Sequence, residues 1–388
     1  MRIGFDAKRY FANFTGLGNY SRTVLENLIK YHPEHQYLLY ASQKQIDKAK
    51  AEISSSDNPL LRTPQSLKGK VSNSLWRSFF LRDDLEKDDI NIYHGLSHEI
   101  PVGMQQKSKI KTVVTIHDLI FLKFPELYRR TERYIYLKKF RHSCQNADRV
   151  IAVSEQTKND IVDIFKIPAD KISVIYQSCQ KEFFNKLDSQ AKSDLETKYQ
   201  LPKAYVLYVG SFTERKKVLH LIQALKILKP TLDFPIVLVG NGKGYKQKIL
   251  DYISKHDLSS SVKMLSNVPN EDLPGIYQQA SLFVYPSVYE GFGIPIIEAL
   301  ASGTPVITSQ GGCFPEAGGP SSSYIEPGNI EELAFQIESI LTDKPRQILM
   351  IQKGTEYVRR FQGKETADQL NALYLDLTRG GSISYLFK

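Results

Sequence analysis

The chain has 388 residues, of which 41% are hydrophobic and 24% charged, with a formal net charge of +9. That length is more than one ordinary core organises, so two domains are expected, and the composition is that of a soluble globular protein rather than a disordered or fibrous one. No apolar run approaches the length of a membrane-spanning helix, and the N-terminal MRIGFDAKRY lacks the apolar stretch of a secretory leader. The thiols Cys144, Cys179 and Cys313 are odd in number and widely spaced, with no C-x-x-C. They read as reduced cysteines of a cytoplasmic protein, one that could also sit peripherally at the inner face of a membrane. The charge is concentrated: residues 1–180 carry a balance of +8 and the remainder +1. The basic half should meet something anionic. No nucleic-acid motif accompanies it, so a membrane surface or a phosphorylated acceptor is expected and nucleic acid is not.

In chain order, β-branched apolar runs at 2–6, 36–41, 90–95, 111–118, 149–154 and 171–176 read as strands. Helical segments separate most of them, notably 17–31, 126–146 and 154–165. A second round of runs follows at 204–210, 234–240, 261–265, 281–287, 304–309 and 322–327. Short runs ending in Gly, Ser or Asp suit parallel strands buried on both faces, and their alternation with helices predicts α/β domains with doubly wound sheets. The join falls in the polar stretch between Tyr176 and Pro202. The expected division is a Rossmann-like domain over 1–180, a linker over 181–202 and a second Rossmann-like domain over 203–364, with a cleft between them. Ligands of such sheets sit beyond the carboxyl ends of the strands. The acidic run RDDLEKDD (82–89) lies away from any strand end and reads as a solvated helix end.

The stretch YEGFGIPIIEALASGTPVI (289–307) places two glutamates on either side of a turn that opens a helix. Pro295 suits a first helical turn, so the helix should begin near Ile294. Gly291 and Gly293 leave the turn permissive around Phe292. The helix start offers N–H groups and a positive dipole end to an anion. Glu290 then lies in the loop and Glu298 about one turn into the helix. A ligand with phosphate in its middle and hydroxyls at both ends would use both carboxylates, which describes a sugar nucleotide. A second stretch, GSFTERKK (210–217), carries Arg215 and Lys216 from a strand end at Gly210 towards a helix, placed to meet a diphosphate. Lys217 reads as solvated. No D-x-D triplet and no His/Cys cluster of ligand spacing occurs, so no metal is expected.

In the first half, TGLGNYS (15–21) opens a helix with Gly16 and Gly18, which would let backbone approach phosphates or an acceptor. VTIHDL (114–119) sets His117 and Asp118 at a strand's carboxyl end, with Asp118 orienting the loop. His94 and His98 read either as cleft lining or as plain loop structure. PELYRRTERYIYLKKFRHS (125–143) mixes six Arg and Lys with three Tyr. Two readings stand for it: a half-buried helix with a solvated basic face, or a surface for anionic lipid or a lipid-phosphate acceptor.

E-G-F-G-x-P-x-x-E followed by A-L-A-S-G-x-P-V resembles the signature of the retaining GT-B glycosyltransferases of the group 1 / family 4 type. TGLGNYS, VTIHDL, VSEQTKNDI, YVGSFTERK and YPSVYEGFGIP occur in that family's order. The resemblance covers nearly the whole chain and is nearest in pattern to bacterial mannosyltransferases of surface-polysaccharide synthesis, including lipopolysaccharide. It implies a metal-independent hexosyl transfer with retention from a nucleotide-sugar donor to a glycan or lipid-linked acceptor, without a separate cofactor. It sets Glu298 on the nucleotide ribose, Glu290 and His117 beside the donor sugar as catalytic residues, and Lys216 on the diphosphate. Gly16, Gly18, Gly210, Arg215, Gly291, Phe292, Gly293 and Ile294 would complete the donor site. Relatives often carry Arg directly after the glycine where this chain has Ser211, so Arg215 would supply that charge. GDP-mannose is the favoured donor and a UDP-sugar the alternative. The base would lie near Gly240–Asn241 and Leu265–Val268. A nucleotide-sugar epimerase of the same fold and an inactive nucleotide-sugar sensor are readings of other classes. The resemblance also implies that the C-terminal helix, with its apolar stripe over 365–378, crosses back onto the first domain (365–388).

Overall fold

The computed structural model describes residues 1–13, 16–49, 59–64, 75–104, 108–232, 234–242 and 244–379. Thr15 and residues 380–388, both within stretches singled out above, lie outside the described residues. The chain divides into two compact units: Met1–Ser178 with Gly363–Lys388, and Cys179–Gln362.

Among the described residues the first unit holds seven strands: β1 (Arg2–Asp6), β2 (Gln36–Tyr40), β3 (Leu60–Arg62), β4 (Ile92–Gly95), β5 (Lys111–Ile116), β6 (Arg149–Ala152) and β7 (Ile172–Val174). They lie in the order β3-β2-β1-β4-β5-β6-β7. Among the described residues every pairing in this sheet is parallel, with Arg2 opposite Gln36 and Ile3 opposite Ile92 at the centre. Alternate residues of one strand enter different cores. Tyr37 and Leu39 pack with Ile3 and Phe5, whereas Leu38 and Tyr40 pack with Tyr93 and Val114. Burial on both faces is why these strands read as continuous apolar runs. Six of the seven strands occupy the expected runs. β3 was not expected: it has three half-buried residues at the sheet edge, too few to show a period.

The acidic run ends a helix with Glu86, Lys87 and Asp89 exposed, as expected, but Asp84 and Asp88 are buried. It forms helix Leu81–Lys87, and Asp84 is 1% exposed, accepting a 2.9 Å hydrogen bond from Trp76 Nε1. Asp88 accepts from the Tyr40 hydroxyl at 2.7 Å and from Arg62 Nε at 3.3 Å. Both carboxylates satisfy buried donors, which a charge count along the sequence does not reveal.

The C-terminal helix Gly363–Arg379 packs on helix Gly16–Tyr31 and delivers Ala367, Leu370, Leu373 and Tyr374 to the first unit's core. Tyr374 Oη lies 2.6 Å from His94 Nδ1, and His32 Nε2 lies 2.9 Å from Asp368. At the helix start a Cβ on Gly363 would come within 2.3 Å of Asn27 Oδ1, so glycine permits the close approach.

The second unit has β8 (Val206–Val209), β9 (Ile236–Val239), β10 (Val262–Leu265), β11 (Leu282–Tyr285), β12 (Val306–Ser309) and β13 (Ser323–Ile325). Their order is β10-β9-β8-β11-β12-β13, again with parallel pairings, and each lies within its expected run. The chain winds outward from β8 through β9 to β10, then returns to the other side of β8 as β11. A doubly wound sheet has its ligand crevice at that reversal. Residues 181–202, expected as a linker, belong to this unit. Asp188 caps helix Ser189–Tyr199, and Leu195 lies so close to Gly275 that a Cβ there would come within 2.2 Å.

Candidate active site

In the second unit the site grows from the two strands at the reversal. After β8, Gly210 takes φ +151°, and Glu214–Lys216 form one tight 3₁₀ turn before helix Val218–Leu228. After β11 the chain passes through Ser287 to Glu290 and enters helix Ile294–Ala301. The two loops are joined by Val288 N–H donating to the Arg215 carbonyl at 2.9 Å. The helix begins at Ile294 as expected, with Pro295 in its first turn and no side-chain cap at Gly293. Gly293 is required by packing: its φ of 179° suits any residue, but a Cβ would lie 2.9 Å from that of Ala317. Phe292 is buried against Phe361, and Cys313 Sγ–H donates to the Phe292 carbonyl at 2.6 Å and to that of Glu290 at 3.3 Å.

One carboxylate oxygen gathers the donors. Glu290 Oε1 lies 2.8 Å from Arg215 Nη1 and 3.2 Å from Lys216 Nζ. It also accepts from the Tyr285 and Ser287 hydroxyls, both at 2.9 Å. Lys216 Nζ donates to Tyr285 Oη at 2.5 Å, and Arg215 also donates to the Tyr289 carbonyl. These side chains are only 11–14% exposed. Burial pushes the Glu290 pKa up, but Lys216 and then Arg215 outweigh it and hold the value at about 2. Glu290 is therefore ionised throughout the neutral range, and two cations stand beside it at a parallel sheet's carboxyl edge. The cluster retains one net positive charge, and both cations can be shared with an arriving anion. Among the described residues no donor is recorded on Glu290 Oε2, which leaves that oxygen to accept from a hydroxylated ligand.

Glu298 is a carboxyl of the opposite kind. It accepts from Tyr277 Oη at 3.0 Å. Burial raises its pKa to about 7, only partly offset by that hydroxyl. The two glutamates of one motif thus have separate environments, and neither is a plain solvated acid. The loops after β8, β9 and β10 are closed on one another. Phe212 N–H donates to the Asn241 carbonyl at 2.8 Å and Gly240 N–H to that of Leu265 at 2.9 Å. A Cβ on Gly240 would come within 2.0 Å of the Gly210 carbonyl oxygen, so only glycine fits there.

In the first unit His117 follows β5 and is 5% exposed. Its Nε2 bonds the Leu96 carbonyl and its Nδ1 the Gln177 amide, each at 2.8 Å. A carbonyl can only accept and an amide nitrogen only donate, so the ring is the neutral Nε2–H tautomer. Burial depresses its pKa to about 4. His94, in β4, and His98, in the loop after it, are both buried among groups of the first unit. His94 bridges Tyr374 and Thr115, at 2.6 and 2.8 Å, and His98 stacks on Phe140 with ring centroids 4.3 Å apart. Asp118 Oδ1 accepts from Ile120 N–H at 3.0 Å and so orients the loop. Gly18 is fixed by its own loop, since a Cβ would lie 1.6 Å from the Asn13 carbonyl oxygen, whereas Gly16 has nothing within 4 Å.

Sequence reasoning singled out Glu290, Arg215 and Lys216 but not their convergence, and it missed Tyr285, Ser287 and Tyr277. Polar tips at the end of an apolar strand, YPS after SLFV, were the available signal. Among the described residues no three His, Cys, Asp or Glu side chains gather as a metal site, and no helix is long and apolar enough to cross a membrane.

Residues 15–179 match the family described as Glycosyltransferase Family 4, and residues 191–357 match Glycosyl transferases group 1. The chain belongs to these glycosyltransferases. It is 28% identical over 392 residues to O-antigen chain mannosyltransferase B of Escherichia coli, covering 97% of this chain and 100% of that one. It is 29% identical over 243 residues to O-antigen chain mannosyltransferase RfbU of Salmonella typhimurium, covering 63% of each. Sucrose-phosphate synthase from Thermosynechococcus elongatus superposes with a TM-score of 0.77 at 22% identity, covering 98% of this chain and 100% of that one. The fold of this glycosyltransferase is GT-B.

Proposed function

We propose that this glycosyltransferase moves mannose from GDP-mannose to a hydroxyl of a glycan or lipid-linked acceptor, retaining the anomeric configuration and using no metal ion. The observation that carries the reading is the buried Arg215–Lys216–Glu290 cluster at the reversal of the second sheet. The mannosyltransferases among its relatives support the choice of sugar.

The donor's diphosphate takes over Arg215 and Lys216, which without it are held by Glu290. As the bond from the anomeric carbon to the phosphate oxygen breaks, negative charge grows on the leaving diphosphate. The two cations stabilise it, which replaces a divalent ion. Glu290, released from part of its ion pairing but still fixed by Tyr285 and Ser287, accepts hydrogen bonds from the sugar. Its negative charge also favours the positive character that develops on the ring. The leaving phosphate oxygen accepts the acceptor hydroxyl's proton as the new glycosidic bond forms on the same face. Glu298 holds the ribose hydroxyls, and the closed loops around Gly240 and Leu265 receive the base. His117 stands outside proton transfer, because both ring nitrogens are bonded and burial keeps the ring neutral. Its part is to fix the loop at the end of β5.

The test is incubation with labelled GDP-mannose, UDP-glucose and UDP-galactose, each with and without an extracted glycan-lipid fraction and with and without chelator. Acceptor-dependent transfer from GDP-mannose, unaffected by chelator and giving the donor's anomer by NMR, is the expected outcome. Sugar interconversion without acceptor would establish the epimerase instead.

A further inference from the structure

Among the described residues the second unit leaves five large hydrophobic side chains exposed, and three of them sit on two successive helices. Phe335, 64% exposed, is on helix Ile330–Thr342, and Ile348 and Leu349, 55% and 49%, are on helix Lys344–Tyr357. Each helix turns its other face to the unit: Leu333, Ala334, Ile337 and Ile340 are buried from the first, Gln347, Met350 and Gly354 from the second. The helices pack on each other, and their seam is tied by polar contacts. Arg346 donates to Ser339 Oγ at 2.6 Å and to Gln336 Oε1 at 3.1 Å, and Gln347 Nε2 donates to the Ile340 carbonyl at 2.8 Å.

Charge is segregated between the two helices. Helix Ile330–Thr342 carries Glu331, Glu332 and Glu338 and no Lys or Arg, whereas helix Lys344–Tyr357 carries Lys344, Arg346 and Lys353 against Glu356. Glu332 is engaged, accepting from Glu326 N–H at 2.9 Å. Among the described residues no ion pair engages Glu331, Glu338 or Lys353. The apolar and charged groups share one stripe on each helix. Phe335 follows Glu331 by one turn and precedes Glu338 by another, and Leu349 precedes Lys353 by a turn.

We infer that this face pairs with the same face of a second copy of the chain. The acidic helix of each copy lies against the basic helix of the other, with Phe335, Ile348 and Leu349 packed between them. A two-fold axis brings a surface patch onto its own rotated image. A patch that is acidic on one half, basic on the other and apolar along both is complementary to that image in charge and in burial. A bilayer with anionic headgroups would attract one helix and repel its neighbour, and a purely apolar partner would leave both sets of charges without a counterpart. The inference concerns a surface of the second unit and does not depend on the donor or the reaction.

The test is sedimentation velocity of the full chain over a concentration series, alone and with vesicles of phosphatidylcholine mixed with phosphatidylglycerol. A reversible dimer that weakens as salt rises is expected. Phe335→Ser with Leu349→Ser should raise its dissociation constant by about tenfold or more. Glu331→Lys with Glu338→Lys should do the same, and so should Lys344→Glu with Lys353→Glu, each by setting like charges against each other. Mixing these two charge-reversed proteins should restore dimers, because opposite charges then meet across both halves of the face. Leu250→Ser, an exposed apolar change on helix Gly244–Lys255 of the same unit, should leave the dimer unaltered. Unchanged thermal unfolding shows that the variants are folded. A monomer at every concentration, a dimer indifferent to the variants, or no dimer on mixing the reversed pair would overturn the inference. So would a monomer that binds the vesicles and loses them with Phe335→Ser and Leu349→Ser, because the face would then meet lipid. The readout is association, so a failure of the mannosyl-transfer reading would leave this result standing, and the reverse.

Discussion

At the scale of single residues, Glu290 and Glu298 lie in one short motif yet are driven in opposite directions, one to about 2 and the other to about 7. The cause is the company each keeps: two cations and two hydroxyls for Glu290, burial with one tyrosine for Glu298. Removing one partner of a buried ion pair costs about 3–5 kcal/mol. Glu290→Ala should therefore destabilise the second unit on that scale by leaving Arg215 and Lys216 uncompensated. GDP, which carries no sugar, should restore part of that loss. Its thermal shift should be larger in the variant than in the wild type by differential scanning fluorimetry, and equal shifts would remove the cations from the diphosphate site. Glu298 binds a diol best as a carboxylate, so donor affinity should rise between pH 6 and 8 as it ionises, and Glu298→Gln should flatten that rise in calorimetry. The residues themselves were readable from E-G-F-G-x-P-x-x-E and from ERKK. That four donors meet on one oxygen was not, because Tyr285 and Ser287 are strand-end residues whose polar tips are hidden in an apolar run.

At the scale of elements, twelve of thirteen strands were legible because parallel strands buried on both faces leave continuous β-branched runs. The features not read have a common character. β3 is too short for a pattern. Asp84 and Asp88 of the acidic run are paired with Trp76, Tyr40 and Arg62, which lie apart from them in sequence or on other elements. The polar helix Ser189–Tyr199 looks like a connector because it buries a single leucine, and its other ties, from Lys198 and Tyr199 to Asp272, are polar. Helix Gly363–Arg379 shows the reverse case, in which an apolar stripe announces a partner without naming it. Its Tyr374 hydroxyl completes a buried chain through His94 to Thr115 and Tyr20. Tyr374→Phe leaves His94 Nδ1 unsatisfied and should cost the first unit about 1–3 kcal/mol in denaturant titration. Truncation after Gly363 removes four core side chains with it, so that variant should fail to fold its first unit, and recovery of a cooperative transition would contradict the packing described.

At the scale of the whole molecule, the two units should answer acid in opposite ways. In the first, burial holds His117 at about 4 and His94 at about 3, with His98 also far below its ordinary value. A histidine whose folded pKa is depressed binds protons in the unfolded chain first, so its contribution is present above pH ~6.5 and is lost as pH falls towards 4. Between pH 7.5 and 5.5 each such group should withdraw about 1 kcal/mol from the first unit. In the second unit Glu298 has a raised pKa, so its burial penalty is relieved as pH falls through 7, adding about 2 kcal/mol over the same interval. Glu290, depressed to about 2, contributes stability that is fully present above its ordinary value of 4.5 and is lost only as pH falls from there towards 2. Calorimetry at pH 7.5 and 5.5 should therefore show the first unit's transition moving down and the second's holding or moving up. GDP serves to assign the second transition, and His94→Gln should reduce the downward movement of the first. A single transition that falls at pH 5.5 and takes both units with it would show that the fold melts as one, and that the histidines set the acid limit of the entire chain.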